Sequence, residues 1–592
     1  MVSHVICFDQ RSRYVSWVKR NPVYANCVLI SLLNPLPDQR QENRQRFLTA
    51  YVDMIGQLSV RNHSLLWWAT DISSKNRFFT PVVAFLEQFF KLIHVLEQAK
   101  ADIVVCVDVP WQLQGTIQQA LAQKKIKCSW HGNFMSPLAA MAQEPLVRCA
   151  RIVRHIFYII PRLMQAHRLF ALVIAQAAED PRAVYVLKTF ASPRSFDPKG
   201  AYKDLFFGPL PDFLSARHRV IVLAEVMEDF PKTLDLMYEW AKGRIYPWEA
   251  FLTVGDVLYA SFQMCGYRIR VPPRLNFGQW DVSDLIKRVC WTHGSKIQPL
   301  HFYQHAMMSR FLKYFKVQAL ALTCEFNPWE KMCLWAVQHN APSAKTFGYQ
   351  HTVVPQASAN MFTSRFEQDL VPRPDVVVTV GQRPKDIIHR YETCRPSAIA
   401  VGCGLRFEYL FQQLPRKMEQ RKHVLLALEG LPQVVQMVNY VLRQWPSCGG
   451  YQLRIRPHPV LPLHKLAHHL VQDPRQMPRL EISRGTSLQQ DLEWADTIMY
   501  WGSAVALEAV SMGKPVIHFD DGSLLSYDPL FELTEFKWQV NVSTSLGQAL
   551  HEISALKTKD HQSRQNLAKN YIAGYFHRVT PEAMQCFLER KD

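Results

Sequence analysis

The stretch Asp496–Ser523, DTIMYWGSAVALEAVSMGKPVIHFDDGS, decides the fold. An apolar run ends at Tyr500 and a small-residue turn follows at Gly502-Ser503. A helix-forming segment to Met512 is then closed by Gly513-Lys514-Pro515 before a second apolar run to Phe519. Strand, turn, helix and strand in that order make a βαβ unit, whose strands pair in parallel and are covered by helices on both faces. Such coverage explains why neither run alternates polar with apolar residues. Ser503 is suited to cap the helix, and Gly502 lets the backbone approach a ligand closely. Free N–H groups at that helix start, together with its dipole, favour an anion. Glu508, five residues further on, is placed to accept hydrogen bonds from a ribose.

The same alternation runs outward in both directions. Candidate strands are His4–Phe8, Ala25–Leu32, Ser64–Thr70 and Asp102–Val107 near the N-terminus. In the middle they are Ala183–Lys188, Arg219–Ala224, Val317–Thr323, Ala344–Tyr349, Asp375–Val380 and Ala398–Gly402. Towards the C-terminus they are His423–Leu428, Tyr451–Ile455, Leu480–Ser483, Asp496–Tyr500 and Pro515–Phe519. Helical patterns such as Thr80–Gln98, Leu431–Gln444 and Ser503–Met512 separate many of them, so the fold class is α/β with parallel sheets. The chain divides into an N-terminal α/β unit (1–140), a basic amphipathic segment (141–182) and two further α/β units (183–405 and 406–592). The last helices, from about 560, are expected to cross back onto the preceding unit.

Two further turns in the C-terminal unit resemble the first in position. YQLRIRPHPV, Tyr451–Val460, puts Arg456 and His458 at and just beyond the end of a strand, where ligands bind in open α/β sheets. His458 is placed to donate to a phosphate, and Arg456 to supply positive potential. LLALEGLPQVV, Leu425–Val435, places Glu429-Gly430 at another strand end. Each turn alone also has a plain structural reading, as a cap, a loop histidine beside proline or a strand terminus. Three converging on one crevice point to a bound nucleotide. In the middle unit Glu325 follows the strand Val317–Thr323, Glu330 begins the next helix, and Gln350 and His351 follow another strand. All four are expected to face the crevice. Glu325 is the first candidate for a base or nucleophile, with His351 as its partner or as a phosphate ligand and Glu330 beside them. The competing reading is that Glu325 and Glu330 merely charge a helix N-terminus.

These three turns resemble the carboxylate-Gly, His-Pro and Ser-rich motifs of bacterial GT-B glycosyltransferases that use CMP-activated sugars, the sialyl- and Kdo-transferases among them. The family's Ser/Thr pair is Gly502-Ser503 here, and Glu429 stands alone before Gly430. CDP-glycerol-type polymerases carry similar Arg-Pro-His-Pro and Ser-rich turns. WWATDISSKNRF (Trp67–Phe78), CEFNPWEKMCLWA (Cys324–Ala336) and FGYQHTVVP (Phe347–Pro355) are similar to a family of bacterial surface carbohydrate biosynthesis proteins. The resemblance implies a GT-B-like architecture: two facing Rossmann-type domains preceded by the additional N-terminal α/β domain. It also implies a glycosyltransferase that moves a sugar, CMP-activated by preference, to a surface polysaccharide or glycolipid such as lipopolysaccharide or capsule. On that reading Glu429, Gly430, Arg456, His458, Gly502, Ser503 and Glu508 bind the donor. Glu325, His351 and Glu330 form the catalytic group, and Gln350 contacts the acceptor. No metal and no cofactor beyond the nucleotide-sugar substrate is expected. The alternatives are a nucleotide-sugar epimerase of the same fold and a non-catalytic scaffold with a degenerate transferase fold.

Composition narrows the partners. The 592 residues carry 68 Lys and Arg against 50 Asp and Glu, a net charge of +18, which favours an anionic partner. No recognisable nucleic-acid motif accompanies the charge, so nucleic acid is not expected. Thirteen cysteines fall singly without a C-x-x-C pair, the pattern of reduced thiols in a cytoplasmic protein. The N-terminal residues lack the apolar core of a signal peptide. PLVRCARIVRHIFYIIPRLMQAHRLFALVIAQA, Pro145–Ala177, carries five arginines and no acidic residue. It reads as an amphipathic helical hairpin broken at Pro161, either suited to an anionic membrane surface at the inner face of the cytoplasmic membrane or a pair of ordinary core-packing helices with solvated arginines. His464, His468 and His469 read as a solvated helix face, and Asp520-Asp521-Gly522 as a turn that leaves Asp520 near the donor sugar.

Overall fold

The computed structural model describes residues 3–7, 28–31, 41–99, 103–107, 109–131, 137–197, 199–240, 244–293, 297–394, 398–412 and 422–588. Three parallel sheets organise them. The first has the order β2-β1-β3-β4, with β1 Ser3–Cys7, β2 Val28–Ser31, β3 Ile103–Val107 and β4 Lys127–His131. The candidate strands His4–Phe8 and Ala25–Leu32 lie partly outside the described residues.

The second sheet has seven strands in the order β13-β12-β11-β10-β5-β6-β7. These are β5 Val184–Ala191, β6 Arg219–Val226, β7 Ile245–Pro247, β10 Val317–Thr323, β11 Lys345–Gln350, β12 Val376–Thr379 and β13 Ile399–Val401. A small antiparallel hairpin, β8 Asn276–Phe277 with β9 Trp280–Asp281, stands apart. The third sheet has the order β16-β15-β14-β17-β18-β19. Its strands are β14 His423–Ala427, β15 Gln452–Arg456, β16 Leu480–Ile482, β17 Thr497–Tyr500, β18 Val516–Phe519 and β19 Lys537–Val540. Each of these two sheets winds outward in one direction, returns past its first strand and continues on the other side, the order of a dinucleotide-type Rossmann fold. Every residue of β17 and β18 is buried, as helix cover on both faces requires.

The chain is therefore α/β, with two Rossmann-type domains and an additional N-terminal α/β unit. The C-terminus ties the two domains together. After the helix Thr558–Tyr575, the His577 amide donates to the Val380 carbonyl (2.9 Å) and the Gly404 amide to the His577 carbonyl (3.0 Å). The Tyr185 hydroxyl, from the middle of the second sheet, donates to the Phe587 carbonyl (2.7 Å). A side chain on Gly381 would lie 2.3 Å from the Tyr575 carbonyl oxygen, so this crossing demands glycine there.

Two local expectations are corrected. Ser64–Thr70 is not a strand: Ser64 caps a short helix, Leu65–Trp68, its hydroxyl accepting from the Trp67 amide. The segment Pro145–Ala177 is not a hairpin broken at Pro161 but part of one helix, Pro137–Glu179. An internal proline costs about 3 kcal/mol. One face of the helix offsets this by burying Ile152, Ile159, Leu163, Ala166, Leu169 and Val173, each large side chain contributing roughly 1.5–3 kcal/mol.

Candidate functional site

In the third sheet the loops leaving β14 and β17 diverge to opposite faces, which opens a crevice at their C-terminal ends. Glu429 leaves β14 and Gly502-Ser503 leaves β17, so both stand at this crossing point. Burial raises the pKa of Glu429 to about 7, while Ser503 beside it holds the value down. Its Oε1 is enclosed and has no hydrogen-bond partner among the described residues. His458 completes the group: a side chain on Gly430 would sit 2.9 Å from its Nδ1. Burial lowers the pKa of His458, so the imidazole is neutral near pH 7. Glu429, Gly430, His458, Gly502 and Ser503, spread over more than 70 residues, are thus neighbours.

Three expectations about this edge change. Ser503 is not the N-cap; the helix spans only Val505–Ser511, and the Ser503 hydroxyl accepts from the Val505 amide (3.2 Å). With barely two turns, that helix adds little dipole at its start. Arg456 does not offer its charge to the crevice. With Arg454 it clamps the fully buried Asp491, at 2.5 and 3.0 Å, where the Ser483 and Thr486 hydroxyls also converge. Glu508 is buried and accepts the Tyr409 hydroxyl rather than standing open for a ribose, and burial raises its pKa.

Across the crevice lies the corresponding crossing point of the second sheet, between β5 and β10. Glu325 sits two residues beyond β10, half-buried. Its Oε2 accepts from Asn327 Nδ2 (3.0 Å), and its Oε1 lies 3.9 Å from Nε2 of His351. His351, just past β11, is buried edge-on against Phe206 with ring centroids 5.2 Å apart. Burial depresses its pKa to about 4, so it is neutral.

Glu330 and Gln350 hold this edge together instead of lining it. Glu330 is buried, and its Oε2 accepts the Glu325 and Asn327 amides at 2.8 and 2.9 Å, closing a capping box with Asn327. Burial, reinforced by the neighbouring Glu325, raises its pKa to about 8. Gln350 is fully buried; its amide donates to the Thr352 carbonyl while its oxygen accepts the Val380 amide.

Tyr527 links the two edges. Burial raises its pKa, Arg77 opposes this, and both Glu325 and Glu429 add to the rise; a side chain on Gly502 would strike its Cβ at 2.7 Å. Phe78 packs on Tyr527 and Trp501, with centroids 4.8 and 6.2 Å away, and Tyr527 stacks on Trp501 at 5.5 Å. Arg77 reaches the loop after β18, donating to Ser523 Oγ (2.9 Å) and to the Leu525 carbonyl. The loop 69–79 of the N-terminal unit therefore wedges between the two Rossmann domains. Asp520 faces this wedge from the other side: it pairs with Arg44 at 3.0 Å and accepts Gln539 at 2.7 Å, so its carboxylate is engaged away from a donor sugar.

Two groups were not singled out from sequence. Arg406 is exposed, stacks over Phe206 and Phe407 at 5.6 and 5.1 Å, and has no acidic partner among the described residues; its charge acts on both His351 and Glu508. Lys75, Glu367 and Lys331 form a fully buried charge cluster. Lys75 pairs with Glu367 and donates to the Phe362 carbonyl (2.7 Å), Ser59 donates to Glu367 (3.0 Å), and Lys331 donates to the Ser73 carbonyl (2.9 Å). Burial brings the Lys331 pKa down to about 7. The cluster joins the Trp67–Phe78 and Cys324–Ala336 motifs, a union that no spacing in the sequence announces. His464, His468 and His469 lie on a tight 3₁₀ segment, Leu463–His469, and not on an α-helical face.

No known protein family matches the chain, and no curated protein does. Among solved structures, the glycotransferase of kitacinnamycin aligns with a TM-score of 0.38 and 12% identity, over 69% of this chain and 98% of that one. The UDP-GlcNAc 2-epimerase from Neisseria meningitidis bound to UDP-GlcNAc gives 0.37 and 11%, over 68% and 98%. The glycosyltransferase from Rickettsia africae ESF-5 gives 0.39 and 12%, over 70% and 100%.

Proposed function

We propose that the protein is a glycosyltransferase that moves a sugar from a nucleotide donor, a CMP-sugar by preference, to a surface polysaccharide or glycolipid acceptor. The observation that supports this most is the meeting of Glu429, His458 and Ser503 at one sheet's crossing point, opposite Glu325 and His351 at the other's. In this reading the nucleotide lies against the Glu429 edge. Glu429, half-protonated near pH 7 and with one oxygen unpartnered among the described residues, hydrogen-bonds the nucleotide, and Ser503 and neutral His458 donate to its phosphate. Arg406, without an acidic partner among the described residues, adds positive charge and is held in place by its two phenyl contacts.

The Glu325 carboxylate takes the acceptor's hydroxyl proton as that oxygen forms a bond to the anomeric carbon. The bond from that carbon to the phosphate oxygen breaks, and the nucleotide leaves with the electron pair. Donors preset around the phosphate stabilise this developing charge. The acceptor hydroxyl must therefore arrive beside Glu325, where Asn327 and His351 fix the carboxylate's direction.

The test is thermal shift with CMP, CDP and UDP, followed by donor turnover with and without acceptor. Stabilisation by a cytidine nucleotide, with turnover dependent on acceptor, supports the transferase. Selectivity for UDP with release of a free isomerised sugar supports an epimerase instead, and no response to any nucleotide favours a scaffold.

A further inference from the structure

The helix Pro137–Glu179 is apolar on two opposite faces. One packs into the domain. The other turns Leu146, Val153, Phe157 and Met164 outward along a single stripe at spacings of seven, four and seven residues, with Phe157 and Met164 76% and 74% exposed. Beside it the helix Val254–Gly266 shows the same behaviour: Val254, Leu258 and Phe262 recur every four residues, and Phe262 is 76% exposed. The two helices are joined by Arg148, which donates to the Cys265 carbonyl at 3.0 Å. A monomeric soluble surface rarely gathers large apolar side chains in this way without a partner.

The charge around the stripe identifies the partner. Between Pro145 and Ala177 there are five arginines and no carboxylate. Arg162 and Arg168 pair with Glu249 and Asp235, whereas Arg151 and Arg154 have no acidic partner among the described residues. Arg268, just past the second helix, is also exposed. The acid in that helix, Asp256, is already held by Arg310 at 2.8 Å. A second copy laid along this stripe would set arginines against arginines. An anionic lipid surface is complementary to both features, accepting phenyl and aliphatic side chains below the headgroups and guanidinium groups among them.

We infer that the helices Pro137–Glu179 and Val254–Gly266 together form an interfacial docking face for an anionic bilayer. Among the described residues, Pro145–Glu179 is long and apolar enough to cross a membrane. Spanning is opposed because its inner face is committed to the domain and Arg162, in its middle, pairs with the fully buried Glu249 side chain at 2.6 Å. The helix lies on the membrane. This face is independent of the nucleotide crevice, and the two readings can fail separately.

The test is sedimentation of the full chain with phosphatidylcholine vesicles, with and without phosphatidylglycerol, at low and high salt. The protein should pellet with the anionic vesicles and far less with phosphatidylcholine alone. Phe157→Ser and Phe262→Ser, both at exposed positions, should each weaken vesicle binding by about tenfold or more. Arg151→Gln with Arg154→Gln should weaken it roughly twentyfold and flatten its salt dependence. Any nucleotide-induced thermal shift should be the same in these variants as in the parent, which shows that they remain folded. No pelleting with anionic vesicles at low salt overturns the inference, as does equal binding to both vesicle types. So does a dimer in sedimentation velocity that Phe157→Ser dissolves while vesicle binding is absent.

Discussion

Gly430 and His458 are in contact: a side chain on Gly430 would meet the imidazole Nδ1 at 2.9 Å, although one residue lies in the loop after β14 and the other just beyond β15. The histidine can stand at the mouth of the crevice only because its neighbour has no side chain. Gly430→Ala should therefore push the ring aside without disturbing the core. Nucleotide affinity is expected to fall about tenfold, the equivalent of one lost hydrogen bond to a charged group. The unfolding midpoint without nucleotide should move little. Titration calorimetry and thermal unfolding of the same preparation check both halves.

Glu325→Gln keeps the size of the side chain and its contact with Asn327 while removing the base. Transfer should drop by roughly 10²–10⁴-fold, the usual weight of general base catalysis. Binding of the nucleotide at the opposite edge should be unchanged. Steady-state turnover and nucleotide titration separate the two, and full activity in this variant would remove Glu325 from the mechanism.

Glu330 predicts a pH dependence of stability. Its pKa is raised by burial to about 8, above the ordinary 4.5, so the folded chain holds a proton there that the unfolded chain releases. More protons bound in the native state means that stability falls as pH rises from about 4.5 to about 8, by at most about 1.4 kcal/mol per pH unit from this group. Glu330→Gln retains an acceptor for the Glu325 and Asn327 amides and cannot ionise. Urea unfolding at the two ends of that window should show a smaller loss of stability in the variant than in the parent.

Glu367 neutralises two buried lysines. Replacing it with Gln leaves Lys75 without its counter-charge, a change expected to cost about 3–5 kcal/mol. Because the cluster pins the loop 69–79 against the second domain, limited proteolysis should cut that loop faster in the variant. Denaturant unfolding measures the first effect and cleavage rates the second.

The interior of the fold is legible in the sequence because a strand covered on both faces is a continuous apolar run. Val317–Thr323 was readable to the residue for this reason. In the three parallel sheets the strands that escape such a reading are Lys127–His131, Ile245–Pro247 and Lys537–Val540, which form one edge of each sheet. An edge strand has a single neighbour and is short, so KCSWH and KWQV carry polar residues that break the run. Ser64–Thr70 misleads in the opposite sense: Trp67 and Trp68 look like strand residues, but a serine cap and a buried site for both indoles favour a helical turn.

At the site, what is local reads well and what is partnered at a distance does not. Glu429-Gly430 and Gly502-Ser503 follow buried strands, and position alone assigns them to a sheet edge. That Arg456 belongs to Asp491, or Glu508 to Tyr409, depends on side chains 35 and 99 residues away. Arg406 carries no motif; only the two phenyl rings beneath it, its neighbour Phe407 and the sequence-distant Phe206, give it a place. Lys75, Glu367 and Lys331 are ordinary surface residue types whose burial appears only when three segments close on one another.

The central claim is that the Glu429–Ser503 edge holds a nucleotide, and calorimetric titration with CMP, CDP and UDP of the parent, Glu429→Ala and Glu325→Gln tests it most directly. Saturable binding of a cytidine nucleotide by the parent and by Glu325→Gln, weakened at least tenfold by Glu429→Ala, is the predicted result. Absence of binding by the parent, or an affinity that Glu429→Ala leaves unchanged, would contradict it.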